Sequence, residues 1–293
     1  MTGARSLILT LGLAGCATAA PPARPLPPAP TGAVTPPIDT ATPVSRQGTG
    51  DVVLLTPSGT ARYQVLMNDT MAFAMPSGDS VIQYTAITAW LGQTSEPADS
   101  GFRLTFVLDS ILASAQMPVP PALLDSARGT MWSIRVTPNG HVDSLSVDRT
   151  NLLAGRVESL IRFLVPSLPV GGVATGAVWT DTTTAALGGP SSTVKEVARM
   201  SWVASGPSVR GARTALVLSG RGAFTQRGSV TEFGQQRDLD TQGERATTVY
   251  LGTDGVPAGF ESAESSLVRV TVPSVGQTVE GRQRGTARAI LLR

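Results

Sequence analysis

The sequence predicts a mainly all-β protein that forms a large curved antiparallel sheet or an open half-barrel. Charged residues make up 15% of the 293 residues and apolar residues 41%, with 31 glycines and 22 prolines. This composition suits strands and turns better than long charged helices. Segments such as "TMWSIRVT" alternate apolar and polar side chains, which is typical of a strand with one buried face.

The first residues have the layout of a bacterial secretory signal. Arg5 precedes a short apolar run, and the run ends in Leu-Ala-Gly-Cys at residues 13–16. This "LAGC" segment resembles the lipobox of bacterial lipoproteins, in which the cysteine thiol is acylated after the preceding peptide is removed. We therefore predict a lipoprotein signal peptide at residues 1–15 and lipid attachment at Cys16, the single cysteine of the chain.

Two other interpretations of Cys16 stay open. Ala17-Thr18-Ala19 fits the A-x-A pattern of the ordinary signal peptidase, which would discard Cys16 and release a soluble protein. The cysteine can also be an ordinary buried side chain. The apolar run is too short to span a bilayer as a helix, and no second long run occurs.

Residues 16–50 are predicted to form a flexible tether. The segment is rich in proline, alanine and threonine, as in "APPARPLPPAPTGAVTPP", and has almost no large apolar side chain. Such a segment cannot bury enough surface to offset the entropy lost on ordering. A folded body held by lipid also needs such a spacer between itself and the headgroups.

Residues 51–293 are predicted to form one β domain that contains two repeats, about 52–148 and 176–292. The stretch from Asp69 to Trp90 aligns without a gap to that from Asp181 to Trp202, at an offset of 112 residues. Further matches follow in the same order, including an Asn-Gly and an Asp-Gly bend in corresponding hairpins. Together these matches suggest an internal duplication.

One amphipathic helix is predicted at residues 152–164, between the two repeats. Apolar residues recur there at helical spacing, and Pro166 would stop the helix. The apolar face consists of Leu153, Val157, Leu160, Ile161 and Leu164. The opposite face, expected to point away from the core, consists of Arg156, Glu158, Ser159 and Arg162.

The body resembles a family of uncharacterised bacterial lipoproteins that have a lipobox, a Pro/Thr-rich tether and an antiparallel β body. The resemblance rests on the Pro-Asn-Gly hairpin at residues 138–140, the helix after it, and "FLVPSLPVGGVATGAVW". In outline such bodies are similar to LolA/LppX-like lipoprotein-carrier folds, in which a curved sheet wraps a helix and shelters acyl chains. The resemblance thus implies a lipid-binding role by analogy of architecture.

No residue pattern points to catalysis, a metal ion or a cofactor, so we expect none of the three. His141, the only histidine, follows a turn glycine and has no G-x-S-x-G partner motif. Ser192 and Lys195 have S-x-x-K spacing, but in a strand they would face opposite sides. Residues 238–244 begin like a calcium loop, yet position 12 is Val249, and a polar turn between strands is expected instead.

Aromatic and methionine side chains are the remaining lead to a site. Met71, Phe73 and Met75 alternate along one strand face, and if the helix only partly fills the sheet they can line an apolar cavity. Ordinary core packing is the alternative. The other candidate lining residues, in other strands, are Trp90, Phe106, Trp132 and Trp202.

These observations favour a non-enzymatic cell-envelope lipoprotein that binds a lipid or another apolar molecule. The alternative is an envelope lipoprotein with a filled core and a structural or protein-binding role. We expect membrane attachment through the lipid anchor, at the outer membrane because Ala17 and Thr18 lack an inner-membrane retention signal; a soluble periplasmic protein is the alternative. A net charge of +2 gives no reason to expect nucleic acid as a partner.

Overall fold

The computed structural model describes residues 48–57, 59–74, 80–114, 121–149, 152–187, 192–210, 213–232 and 235–292. The predicted signal peptide, Cys16, most of the predicted tether and Met75 lie outside these ranges. β1 begins at Thr49, close to the predicted start of the β domain.

The described residues are mainly strands, and the strands differ greatly in length. The longest ones lie in the second half of the chain. In chain order the strands are β1 (Thr49–Val53), β2 (Thr60–Ala74), β3 (Ser80–Ala98), β4 (Gly101–Ala113), β5 (Met131–Val136), β6 (Val142–Val147), β7 (Val173–Thr175), β8 (Val178–Ala186), β9 (Lys195–Arg210), β10 (Arg213–Glu232), β11 (Gln235–Gly252), β12 (Pro257–Val272) and β13 (Gln277–Leu292).

In the described part of the chain, two α-helices and two 3-10 helices accompany the strands. Helix α1 (Pro121–Ala127) is short and no sequence pattern above predicts it. Helix α2 (Leu152–Ile161) continues into a 3-10 helix at Arg162–Leu164, which together match the predicted helix. The second 3-10 helix is Pro273–Val275. Within the described ranges, no helix has the length and apolar character that crossing a bilayer requires.

Eleven strands form one antiparallel sheet that curls into a half-barrel, which confirms the predicted fold class. The order across the sheet is β6-β5-β4-β3-β2-β13-β12-β11-β10-β9-β8, while β1 and β7 pair separately. The chain therefore starts near the middle of the sheet, meanders to one edge, and crosses through α2 to the other edge. It then meanders back, so that β13 pairs with β2.

The two halves share a meander but differ in register. The hairpins β2–β3 and β8–β9 contain the stretches aligned in the sequence. In the first, Asp69 pairs with Thr85, whereas Asp181 pairs with Met200 and not with Val197, the residue at the predicted offset. The division into two repeats thus stays a prediction, supported by the meander and not by this register.

The two predicted bends are tight turns that connect β5 to β6 and β11 to β12. Gly140 and Gly255 have φ values of 77° and 78°, which glycine adopts without strain. The first turn also contacts the segment after α2, because Leu168 N–H donates to the Asn139 carbonyl at 2.7 Å. The Pro-Asn-Gly hairpin and the Pro-rich segment after the helix are therefore packed together.

The main core lies between the inner face of the sheet and α2. All five residues of the predicted apolar face of the helix are buried. They belong to one cluster with inner-face residues of β2 to β5 and β9 to β12, including Tyr63, Phe106, Trp132 and Phe260. Burial of large side chains such as these is worth about 1.5–3 kcal/mol each, so this cluster is the main source of stability.

The structure corrects the expectation that residues 238–244 form a polar turn between strands. The expected polar turn is absent there, because these residues lie inside the continuous strand β11, which pairs with β10 and β12 on its two sides. The polar side chains reflect a solvated outer face, where Asp240 forms an ion pair with Arg227 across to β10 at 3.2 Å.

Candidate functional site

A row of five polar residues, two glycines and one methionine runs across the inner face of the sheet at the border of the main core. Neighbouring members pair in the strand register from β3 to β8, so their side chains share one face. The row, here called the charged row, consists of Thr85, Asp69, Gly285, Glu264, Arg245, Gly222, Met200 and Asp181.

Arg245 is the centre of the charged row. Its two Nη atoms donate to the Glu196 carboxylate at 2.9 and 3.0 Å, and its Nε donates to Glu264 at 3.1 Å. The guanidinium lies between two phenyl rings, 4.4 Å from the centroid of Phe224 and 5.1 Å from that of Phe163. Only 10% of the Arg245 side chain is exposed. Its charge is therefore fully matched inside the half-barrel.

The ionisation of this cluster reflects a balance between burial and pairing. Burial alone would raise the pKa of Glu196, but its bonds to Arg245 and Gln226 hold that pKa below the usual value. Burial would likewise lower the pKa of Arg245, and the two glutamates instead raise it. Both groups therefore stay charged at neutral pH.

Asp69 is less well compensated. It accepts one hydrogen bond from Arg156 Nη1 at 3.2 Å, and its side chain is 14% exposed. Burial raises its pKa to about 6, with Glu264 adding to the effect and Arg156 opposing it. Gly285 lies between the two acids, since a Cβ there would stand 2.5 Å from Asp69 Oδ1 and 3.2 Å from Glu264 Cγ.

The polar face of α2 meets the charged row, which corrects the expectation that this face points away from the body. Arg156, Glu158, Ser159 and Arg162 are all partly buried. The physical reason is that the curled sheet surrounds the helix on more than one side. Arg156 pairs with the row, and Arg162 pairs with Glu158 at 3.6 Å. Burial raises the pKa of Glu158 despite Arg162.

Glycines of the inner face let large side chains lie flat across neighbouring strands. A Cβ at Gly220 would stand 2.6 Å from the ring of Trp202, and one at Gly281 would stand 2.6 Å from that of Phe73. Such distances are shorter than any van der Waals contact, so no larger residue fits without movement. Removing side-chain bulk here allows the long strands β9 to β13 to curl closely.

A second apolar group lies on the inner face on the far side of the charged row from the main core. Its members are buried but do not belong to the main core cluster. They come from β2, β9, β10 and β12, with Val194 just before β9, and are Phe73, Val194, Ala198, Phe224, Val268 and Val270. The inner face thus passes from the apolar core through the charged row to a mixed region, in which the buried residues Arg237, Thr241 and Ser266 lie on the same face as these apolar side chains.

The structure separates the seven predicted lining residues. Phe106 and Trp132 are fully buried in the main core. Trp202 also belongs to that core and stacks on Trp179, with ring centroids 6.0 Å apart. Met71 and Phe73 share the inner face beyond the charged row.

The remaining two lining residues do not join these five. Trp90 pairs with Gln64, and the alternation of side chains along β3 places it on the outer face. It therefore lies on the opposite side of the sheet from Phe73. Met75 lies outside the described residues. Only Met71 and Phe73 therefore stand where a ligand beyond the helix would contact them.

The residues considered for catalysis lie apart from this interior. His141 is exposed in the β5–β6 turn, with its Nε2 3.9 Å from Asp143. Ser192 Oγ accepts the N–H of Val194, and Lys195 is exposed at the start of β9. Among the residues that the structure describes, no three His, Cys, Asp or Glu side chains are grouped to hold a metal ion.

The charged row was not predicted from the sequence, although two strands show a sign of it. In β2 the inward positions 63, 65, 67, 69, 71 and 73 are apolar except Asp69. In β12 the inward residue Glu264 lies between Ser262 and Ser266, with apolar inward residues on both sides of these three. A single charge at an inward position of an alternating strand indicates a buried partner. The partner itself cannot be identified without the strand order.

Comparisons with known proteins do not assign the chain to a family. No family model matches it, and no curated protein matches it. Among solved structures, the loop L8 deletion mutant of OmpT, an outer membrane protein of Vibrio cholerae, is 8% identical, with a TM-score of 0.17, over 80% of this chain and 99% of that chain. In-vitro folded OmpT of Vibrio cholerae is 8% identical, with a TM-score of 0.16, over 82% of this chain and 99% of that chain.

A protein of unknown function from the DUF3598 family of Nostoc punctiforme is 12% identical, with a TM-score of 0.12, over 79% of this chain and 95% of that chain. At these TM-scores neither likeness carries a conclusion about function. The resemblance to lipoproteins thus rests on the sequence alone.

Proposed function

We propose that this protein is a non-enzymatic cell-envelope lipoprotein whose half-barrel binds a lipid or another apolar molecule. The observation that carries the proposal is the second apolar group, which lies beyond the charged row and apart from the main core. A protein that needed only a folded core would have no use for a second apolar region behind a buried layer of charge.

The lengths of the elements support this proposal. Helix α2 has 10 residues and rises about 15 Å, whereas the 16 to 20 residues of β9, β10, β12 and β13 extend over about 53–66 Å. The helix therefore covers only part of the inner face. The rest of that face is available to a ligand or closes on its own side chains.

Attachment to the membrane is proposed from the Leu-Ala-Gly-Cys segment and the Pro-rich stretch after it. We expect the Cys16→Ala variant to move from the membrane pellet to the soluble fraction, while the unchanged protein is labelled by a palmitate analogue. Cleavage after Ala19, with loss of Cys16 and no labelling, would instead support a soluble periplasmic protein.

Ligand binding is tested on the full chain carrying Cys16→Ala, with phenylnaphthylamine as the fluorescent apolar probe. Val268 and Leu267 are adjacent in β12 but face opposite sides, with exposed fractions of 4% and 61%. Val268→Asn should weaken probe binding about tenfold because it places an amide in the second apolar group, and Leu267→Asn should leave it unchanged. Circular dichroism verifies that both variants fold.

A structural or protein-binding lipoprotein is the second candidate. It is favoured by the complete burial of Phe106 and Trp132, two residues that the sequence predicts as cavity lining. If the unsubstituted interior takes up no probe, this second function replaces the first. The absence of catalysis is part of both proposals, since the side chain of His141, the only histidine, is exposed in a turn apart from the interior.

A further inference from the structure

We infer that the half-barrel selects a neutral amphipathic molecule with an ester or amide carbonyl, rather than a free fatty acid or a plain hydrocarbon. The inference rests on the proposed ligand-binding function and specifies its ligand class. It follows from the buried donors next to the charged row and from the charge around them.

Four buried donor atoms have no hydrogen-bond acceptor among the residues described, and two of them, Trp132 Nε1 and Trp202 Nε1, lie in the main core. The other two, Arg162 Nε and Gln83 Nε2, lie closer to the proposed ligand region. Gln83 is two residues from Thr85 of the row and pairs with Met71 across β2 and β3. An unpaired buried donor costs about 1–3 kcal/mol, so these two donors indicate that a bound group supplies acceptor oxygens.

Arg162 is the best placed of these donors. It is the first residue of the 3-10 helix that ends α2, next to Phe163, whose ring packs on both Arg245 and Phe260. Its Nη2 stands 3.6 Å from Glu158, longer than a hydrogen bond, and its side chain is 26% exposed. The ion pair positions the guanidinium, and its buried Nε has no acceptor among the described residues.

The local charge excludes an anionic ligand as the preferred one. The ion pairs around Arg162 and Arg245 contain four carboxylates and three guanidinium groups, and the buried Arg237 lies near the start of β11 on the same inner face. The carboxylates are Asp69, Glu158, Glu196 and Glu264, and the cations are Arg156, Arg162 and Arg245. A ligand carboxylate beside these pairs would lie close to four carboxylates and compete with them for three guanidinium groups that are already paired. A neutral carbonyl satisfies the donors without that cost.

The experiment compares three probes that share one fluorophore and one acyl chain. They end in a methyl ester, a free carboxylate, or a methyl group without a carbonyl. At about pH 8, where a free carboxyl is ionised, the full chain carrying Cys16→Ala should bind the ester on the order of tenfold tighter than the acid. It should also bind the ester about fivefold tighter than the probe that has no carbonyl, the plain chain, because one net hydrogen bond contributes about that factor to affinity.

A conservative variant tests the role of Arg162. Arg162→Lys keeps the charge and removes the Nε donor, so it should lower affinity for the ester about fivefold and leave the plain chain unchanged. Arg149→Lys, at an arginine whose side chain is 51% exposed, is the matched control and should change neither.

Each outcome has one meaning. Binding of the acid or of the plain chain as tightly as the ester overturns the selectivity but leaves apolar binding intact. An unchanged ester affinity in Arg162→Lys overturns the assignment of that donor. If none of the three probes binds, the proposed function itself is wrong.

Discussion

At the scale of single residues, Asp69 is a carboxylate whose pKa depends strongly on its surroundings. It lies on the inner face among apolar neighbours of β2, and one hydrogen bond from Arg156 does not fully replace the water that it loses. Its acidic neighbour Glu264 adds to the cost of its charge. The native protein therefore binds a proton at Asp69 more tightly than the unfolded chain does.

This difference predicts how stability depends on pH. Because the pKa of Asp69 rises from 3.8 to about 6 on folding, its contribution is most favourable below about pH 4 and is lost as the pH rises through about 6. We therefore expect the free energy of unfolding of Asp69→Asn, measured relative to that of the parent, to rise between pH 4 and neutral pH. The rise should be on the order of 2–3 kcal/mol. Urea unfolding of both proteins across this pH range measures the difference, and parallel curves would contradict it.

Two glycines give opposite predictions for the same substitution. A Cβ at Gly220 would collide with the Trp202 ring at 2.6 Å, so Gly220→Ala should destabilise the protein by about 1–3 kcal/mol. A Cβ at Gly155 in α2 would have open space for 4 Å around it beyond the helix's own backbone, so Gly155→Ala should stabilise the protein by about 0.5–1 kcal/mol. Thermal unfolding compares the pair, and equal shifts would refute the role of Gly220.

At the scale of elements, α2 shows what a sequence pattern can and cannot predict. The spacing of Leu153, Val157, Leu160 and Ile161 depends only on the geometry of the helix itself, and the predicted helix and its buried face are both found. The environment of the polar face depends on distant strands. A curled sheet and an open one leave the same pattern on the helix, so the contact of Arg156 with Asp69 was not predictable.

Arg245, in β11, contacts the 3-10 helix that follows α2 and side chains of three other strands, β9, β10 and β12. It bonds Glu196 of β9 and Glu264 of β12, and it is stacked between Phe163 and Phe224. Arg245→Met would leave two partly buried carboxylates without their cation, and we expect a loss of about 3–5 kcal/mol in the free energy of unfolding.

An exposed pair of the same residue types supplies the control. Arg269 and Glu280 pair at 2.7 Å on the outer face, with exposed fractions of 58% and 66%. Arg269→Met should cost less than about 1 kcal/mol. Similar losses in the two variants, measured by chemical denaturation, would mean that the buried pair is no more important than a surface one.

At the scale of the whole molecule, the sheet is continuous only because β13 pairs with β2. Both neighbours of β13, β2 and β12, contact it along nearly its full length. Each half of the sheet otherwise ends at this point. The protein should therefore unfold as one unit, with the seam between β2 and β13 as the shared element.

Ala287 tests this expectation, since it pairs with Met67 on one side and Ser262 on the other. Proline there removes a ladder N–H in the middle of the sheet and should cost about 3 kcal/mol or more, whereas Ala287→Ser keeps the N–H and should cost much less. The emission of Trp132 and Trp202, one in each half, should then change together on heating. Loss of structure in only one half would show two independent units.

The fold class was predictable because alternation and turn residues are local signals. The bends at Asn139-Gly140 and Asp254-Gly255 need only the positive φ of glycine. The strand order was not predictable, and neither was the position of Asp69 beside Glu264 and Arg245, because it depends on the pairing of β13 with β2, which lie far apart in the chain. Trp90 is likewise separated from the other aromatic residues because the alternation of side chains along β3 places it on the outer face.

The position of β13 also constrains how the protein is made. A ribosome releases the chain from its amino end, so β2 emerges before β13, with all of β3 to β12 between them. For all of that interval one edge of β2 lacks its permanent neighbour and can pair with the wrong chain. The strand that completes the centre of the sheet follows every other strand that the structure describes, so correct folding requires β2 to stay apart from other copies until β13 has emerged.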